Sequence, residues 1–301
     1  MPTSARLSYP PPGKLFTVAG HQMHIHSTGK GTPTVVLEAG GAGWSMDWHL
    51  VQDKVASFTR VCSYDRAGFG WSEPGPKPRH AEAMAEELRT LLHASQVQGP
   101  YVLVGASFGG HISRLIAAAN DHEVAGLVLL DARHEDLNLP PSWKRLERSA
   151  ASAQRVMLLL SRAHLLSLAA RMGGEGSLPP GVKKLPPEVR ETYLAVGFQP
   201  KYFEANLAEL ESIAESDAQV RAATRHLHIP LVVIRHGIPD LFATLPPADI
   251  AEAEITWQKR QEDLAALSSN SRLVVAEQSG HSIQYDQPDL VVDIIREMVT
   301  R

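Results

Sequence analysis

The stretch "YVLVGASFGGHISRL", residues 101–115, sets a serine among glycines between a short apolar run and a segment with helical character. "YVLVGA" has the length and near-continuous apolarity of a strand buried on both faces. A strand that passes into a helix within a couple of residues forces the residue at the bend into a strained backbone conformation, and only neighbours without bulky side chains avoid a clash there. Gly105 and Gly109 give Ser107 that room. Its hydroxyl would stand at the carboxyl end of the sheet, with the positive end of the next helix and its free N–H groups beside it. Gly-x-Ser-x-Gly in a strand–turn–helix context is the setting of a nucleophilic serine.

Outward from this point, short β-branched apolar runs alternate with helical periodicity, the pattern of a parallel sheet covered by helices on both faces. The strand candidates are "TVVLEAG", "RVCSYD", "YVLVGA", "VAGLVLLDA", "IPLVVIRHG" and "RLVVAEQ", each bounded by Gly, Pro or polar residues and each apolar enough to be buried on both faces. Met84, Leu88, Leu91 and Leu92 make a helical stripe, and Val291, Ile294, Ile295 and Met298 make another, opened by Pro288 in the first turn. The alternation stops between about residues 134 and 225, where "LPPS", "GGEGSLPPG" and "LPPE" punctuate helical stretches. An α/β core over 1–133 and 226–301, with a helical cap or lid inserted over 134–225, is the expected organisation. The run "RVMLLLSRAHLLSLAARM" within the insertion is apolar around most of its circumference and needs cover from the core, a partner or a lipophilic substrate.

At 301 residues, 44% of them hydrophobic and 21% charged, the chain is neither disordered nor fibrous and is long enough for a sizeable core. A formal charge of −4 leaves no basic footprint for nucleic acid or anionic lipid, so a small-molecule partner is expected. Cys62 is the single cysteine, which excludes a disulfide framework and a thiolate metal cluster and suits a packed thiol. The N-terminal "MPTSARLSYPPPGKLF" has no apolar signal region, and the most lipid-like run is broken by Arg162 and His164. A cytoplasmic protein without a membrane span is the expectation; the oligomeric state is left open.

A serine hydroxyl needs a base, and the base an orienting acid. His281, in "AEQSGHSIQYDQP" between the last strand and the last helix, is the candidate base. Four motifs, running from about residue 14 to the end, then resemble the α/β-hydrolase family: "LEAGGAG" its oxyanion loop, "YDRAGFGWS" its Asp-x-x-Gly-x-Gly-x-Ser turn, "GASFGG" its nucleophile elbow and "SGHSIQYDQP" its histidine loop. The resemblance implies a mostly parallel eight-stranded sheet flanked by helices. It implies a Ser107–His281–Asp catalytic triad, with an oxyanion hole from the backbone N–H groups of Phe108 and Gly41, Ala42 being the alternative register. Two aspartates could be the acid. Asp131 ends "VAGLVLLD" at the same sheet edge as the elbow and is favoured; Asp240 in "HGIPD" resembles the family's commoner placement. Many relatives carry a histidine just before the nucleophile, where this chain has Ala106, which makes Ala106 a candidate pocket wall; Trp44, beside the oxyanion loop, is another.

Other features have plainer readings. Asp65 and Arg66 are expected to be structural, in a turn packed under the site. His21, His24 and His26 in "HQMHIH" resemble a metal cluster, but no carboxylate or cysteine lies near them in sequence, and a surface strand of an N-terminal hairpin is expected. Trp44, Trp48, Trp143 and Trp257 could each line an apolar pocket, Trp44 above all, but core packing is the default for every one of them.

The expected activity is hydrolysis of a carboxylic ester or related acyl compound, on a medium-sized, fairly apolar substrate, without metal, nucleotide or flavin. Lactonase, thioesterase, amidase and C–C bond hydrolase chemistry fit the same residues, because discrimination lies in pocket shape. A serine at the elbow argues against the epoxide and carbon–halogen cleavage that an aspartate there would indicate. A ligand receptor on the hydrolase frame, or an interaction protein using its apolar cap, are the non-catalytic alternatives.

Overall fold

The chain forms its sheet where β-branched and aliphatic residues alternate between two faces, each of which has a helical layer to bury against. The computed structural model describes residues 9–119, 121–163, 165–166 and 178–300. Its strands are β1 Lys14–Val18, β2 His21–Thr28, β3 Thr34–Glu38, β4 Val61–Tyr64, β5 Tyr101–Ala106, β6 Val124–Leu130, β7 Leu231–His236 and β8 Ser271–Ala276. They make one eight-stranded sheet in the order β1-β2-β4-β3-β5-β6-β7-β8. β1 and β2 form an antiparallel hairpin and β2 pairs antiparallel with β4, whereas every pairing from β4 through β3 to β8 is parallel.

Period-two alternation divides the core in two. Leu103, Leu127, Leu129, Leu231 and Val233 point to one face, where they meet helices α2 (Ala81–Ala94), α3 (Gly109–Ala119) and α7 (Ile213–Ala223). Val102, Val104, Val128, Leu130, Val232 and Ile234 point to the other, against α1 (His49–Ala56) and α10 (Pro288–Val299). Both expected stripes are buried: Met84, Leu88, Leu91 and Leu92 on α2, and Val291, Ile294, Ile295 and Met298 on α10. One strand departs from expectation. β8 is only half-buried over Ser271–Val275, because it is an edge strand with a neighbour on one side alone.

Between β6 and β7 the described residues form α4 Pro141–Arg162, α5 Pro187–Gly197, α6 Pro200–Glu211 and α7, and no strand. Much of the apolar run 155–172 lies outside the described residues; within them, Val156 and Leu159 of α4 and Leu165 beyond it are exposed. The segment meets the core through Trp44, Phe69 and Trp71 from the core loops, which pack with Val182, Leu185, Val189 and Tyr193. After β7 come α8 Pro247–Ala265 and the short α9 Ile283–Asp286, which precedes α10. No helix among the described residues is long and apolar enough to cross a membrane.

The N-terminal hairpin corrects the surface-strand expectation. β2 is an interior strand, His21 is buried, and His24 is fully buried with Nδ1 2.9 Å from Asp65 Oδ2 and Nε2 accepting the Gly13 N–H at 3.1 Å. The carboxylate partner is forty-one residues away in sequence.

Candidate active site

The elbow has the strain and the close contacts that its glycines foreshadow. Ser107, between β5 and α3, has a left-handed φ of 49°, which costs a non-glycine residue free energy and persists only where the surroundings enforce it. The Ser107 N–H donates to Leu130 O at 2.9 Å and its carbonyl accepts from the Arg133 N–H at 3.0 Å, so the bend is tied to β6 and the chain beyond it. A Cβ on Gly105 would come 2.7 Å from Gly109 O and Ser113 Oγ, and one on Gly109 would come 2.6 Å from Ala39 O. Only glycine fits at either position.

Three side chains lie in line across the carboxyl end of the sheet. Ser107 Oγ is 3.0 Å from His281 Nε2, and His281 Nδ1 is 2.6 Å from Asp131 Oδ2. Ser107 and His281 are partly exposed and Asp131 is fully buried. With Nδ1 donating to the carboxylate, Nε2 is left to accept from the hydroxyl. Asp131 follows β6 at a φ of 43°. Its Oδ1 accepts from Trp257 Nε1 at 2.8 Å and from the His236 N–H at 3.2 Å, and its Oδ2 accepts a second bond from His236 Nδ1 at 2.7 Å. Burial opposes ionisation, but the hydrogen bonds from His236 and His281 hold this carboxyl far below the usual carboxylate range. Asp240 does not reach the imidazole among these contacts; its Oδ1 accepts the His281 backbone N–H at 2.8 Å. The two aspartates divide the histidine between them, one taking the ring and the other fixing the loop.

The glycine loop after β3 sits against the elbow. A Cβ on Gly40 would lie 3.3 Å from Ser107 Cβ, and one on Gly41 3.8 Å from Phe108 Cβ. Ala42 has a φ of 61°. Among the described residues the N–H groups of Gly41, Ala42 and Phe108 find no protein acceptor, whereas the next one, from Gly43, donates to Gly40 O. Arg66 anchors the loop from beneath, donating from Nη1 to Ala39 O at 2.8 Å and from Nη2 to Gly40 O at 2.7 Å. It also pairs with Glu38 at 2.8 Å and, through Nε at 2.7 Å and Nη2 at 3.1 Å, with Glu209 of α6. Asp65 accepts from the Ser45 and Trp71 N–H groups. The turn at 65–72 ties the glycine loop after β3 to the helical segment.

Neither expected pocket wall faces open space. Trp44 is fully buried, with Trp71 at 5.3 Å and Tyr193 at 5.0 Å between ring centroids. Ala106 is the last residue of β5 and packs in the core with Val104 and Leu130. Trp257 does more than pack, since it holds Asp131 and sets its ring edge-on to His281 at 5.8 Å. Sequence reasoning missed His236, Glu38 and Glu209. The apolar context of "LVVIRHG" and "TVVLEAG" marks their strands but carries no sign of what their polar residues meet.

The chain belongs to the alpha/beta hydrolase family, whose model matches residues 26–294. It is similar to the Bacillus subtilis (strain 168) protein YqjL, 27% identical over 283 residues that span 92% of this chain and 88% of YqjL. Several other relatives are matched over less than half of their own length. Among solved structures it superposes on the epoxide hydrolase CorEH with a TM-score of 0.71 and 19% identity, covering 95% of this chain and 98% of that one. A Thermogutta terrifontis esterase matches at a TM-score of 0.66 and 24% identity, with 95% and 97% covered. At these identities the two structures show the fold.

Proposed function

We propose that this hydrolase cleaves a carboxylic ester or a related acyl bond through a Ser107–His281–Asp131 triad. The observation that carries the reading is the Oγ–Nε2–Nδ1–Oδ2 line, with separations of 3.0 and 2.6 Å. Ser107 attacks the carbonyl as His281 Nε2 takes its proton; the imidazolium, steadied by Asp131, returns that proton to the leaving group, and water repeats the sequence to release the acid. The unpartnered N–H groups of Phe108 and Gly41 receive the oxyanion, each such donor contributing on the order of 3 kcal/mol to the transition state. CorEH is an epoxide hydrolase, but cleaving an epoxide through an alkyl-enzyme ester needs a carboxylate nucleophile, and position 107 is serine.

In this reading the helical segment between β6 and β7 caps the site, and its apolar character favours a medium-sized acyl group. Hydrolysis of p-nitrophenyl esters of two-, eight- and sixteen-carbon acids, run beside Ser107→Ala, tests both parts. The variant is expected to lose at least about a thousandfold in kcat/KM, and the eight-carbon ester to be the best substrate. Activity surviving in Ser107→Ala would remove the nucleophile; a preference for the two-carbon ester would remove the apolar pocket.

A further inference from the structure

We propose that His236 is a positioning residue for this triad: clamped as a cation between Asp131 and Glu254, it fixes the acid's orientation and weakens its hold on the proton that His281 carries. The inference rests on the triad reading and goes beyond it, because His236 touches neither Ser107 nor His281 in the contacts that define that reading.

Two histidines present Nδ1 to one carboxylate oxygen. His281 lies 2.6 Å and His236 2.7 Å from Asp131 Oδ2. The far nitrogen of His236, Nε2, is 2.9 Å from Glu254 Oε2 on α8. A lone pair on either nitrogen would face a carboxylate oxygen, so the arrangement is satisfied when both nitrogens carry protons. His236 is almost completely buried at the end of β7. Burial works against the charge, but the bonds to Asp131 and Glu254 outweigh it and raise the imidazolium to about 10.

The other groups around the pair leave this balance in place. Arg235, on the same strand, spends a guanidinium N–H on the His236 carbonyl at 3.0 Å. Asp240, in the loop beyond, takes the backbone N–H of His281. Trp257 gives Asp131 a neutral donor. Asp131 therefore accepts three bonds besides that of His281, which leaves its carboxylate no freedom to rotate away from the imidazole. One consequence is geometric and the other electrostatic. A cation in contact with Asp131 offsets part of the carboxylate's field at His281.

His236→Asn separates the two, because the asparagine amide can stand where Nδ1 stood and keep the bond to Asp131 without the charge. Its kcat/KM profile on p-nitrophenyl octanoate is expected to rise with pH about one unit later than that of the wild type, a tenfold change in proton affinity, while the plateau changes by less than about tenfold. A role in packing alone would lower the plateau and leave the rise where it was, and that outcome overturns the proposal. Independently of any variant's folding, ¹⁵N NMR of the wild-type imidazoles is expected to show both nitrogens of His236 protonated at pH 8; a neutral ring there also overturns it. Activity surviving in Ser107→Ala would remove the triad and this inference together, whereas an unmoved rise with Ser107→Ala inactive removes the inference alone.

Discussion

Asp131 and Asp240 both touch His281, 2.6 Å from the ring and 2.8 Å from the backbone N–H respectively, and the difference in what they touch separates their roles. Asp131→Asn would present the wrong hydrogen-bonding group to Nδ1 and favour the wrong tautomer. Its kcat is expected to fall on the order of 10³- to 10⁴-fold. Asp240→Asn keeps a side-chain oxygen for the same N–H and is expected to cost less than about tenfold. Steady-state kinetics of the two variants on one ester checks the assignment, and a larger loss in Asp240→Asn would reverse it. The two candidates could not be ranked firmly from sequence. Both follow strands, and which carboxylate faces a ring in a loop 150 or 41 residues later depends on how the loops meet in space.

The elbow is an element whose sequence announces its geometry. Strand, glycines and helix are contiguous, and the tightness of the turn follows from local sterics, so Gly105 and Ser107 could be understood before any tertiary contact, whereas the room Gly109 needs is set by the strand beside it. Gly109→Ala is expected to destabilise the fold by about 1–3 kcal/mol, because its methyl group would press on Ala39 O and Glu38 Cγ at 2.6 and 2.8 Å. Urea unfolding of the variant measures this; an unchanged midpoint would show that β3 can give way. The helical stripes of α2 and α10 were equally legible, since a period of 3.6 survives without knowledge of the partner surface. The half-burial of β8 was not. Position in the sheet order decides it, and an edge strand and a central one can share a composition.

Across the molecule, Arg66 joins three parts: the turn after β4, the glycine loop after β3 and α6 of the helical segment. Removing one member of a buried ion-pair cluster leaves the others unpaired, so Arg66→Met, which exposes Glu38 and Glu209 to each other, is expected to cost about 3–5 kcal/mol. The midpoint of denaturant unfolding checks this, and a loss below 1 kcal/mol would mean that water reaches the two carboxylates. The sequence by itself determined the alternation that makes the sheet and the strained serine, because both rest on periodicity or on the sterics of adjacent residues; the histidine loop was legible through its place in the chain and its resemblance to the family's motif. The tertiary structure alone decided which acid meets His281, that His236 and Glu254 stand behind it, that His24 is an interior partner of Asp65 and that Arg66 reaches α6. Those are electrostatic pairings between residues far apart in the chain. A charged side chain carries no local signature of its partner, and only the packing of the layers brings the two within a hydrogen bond.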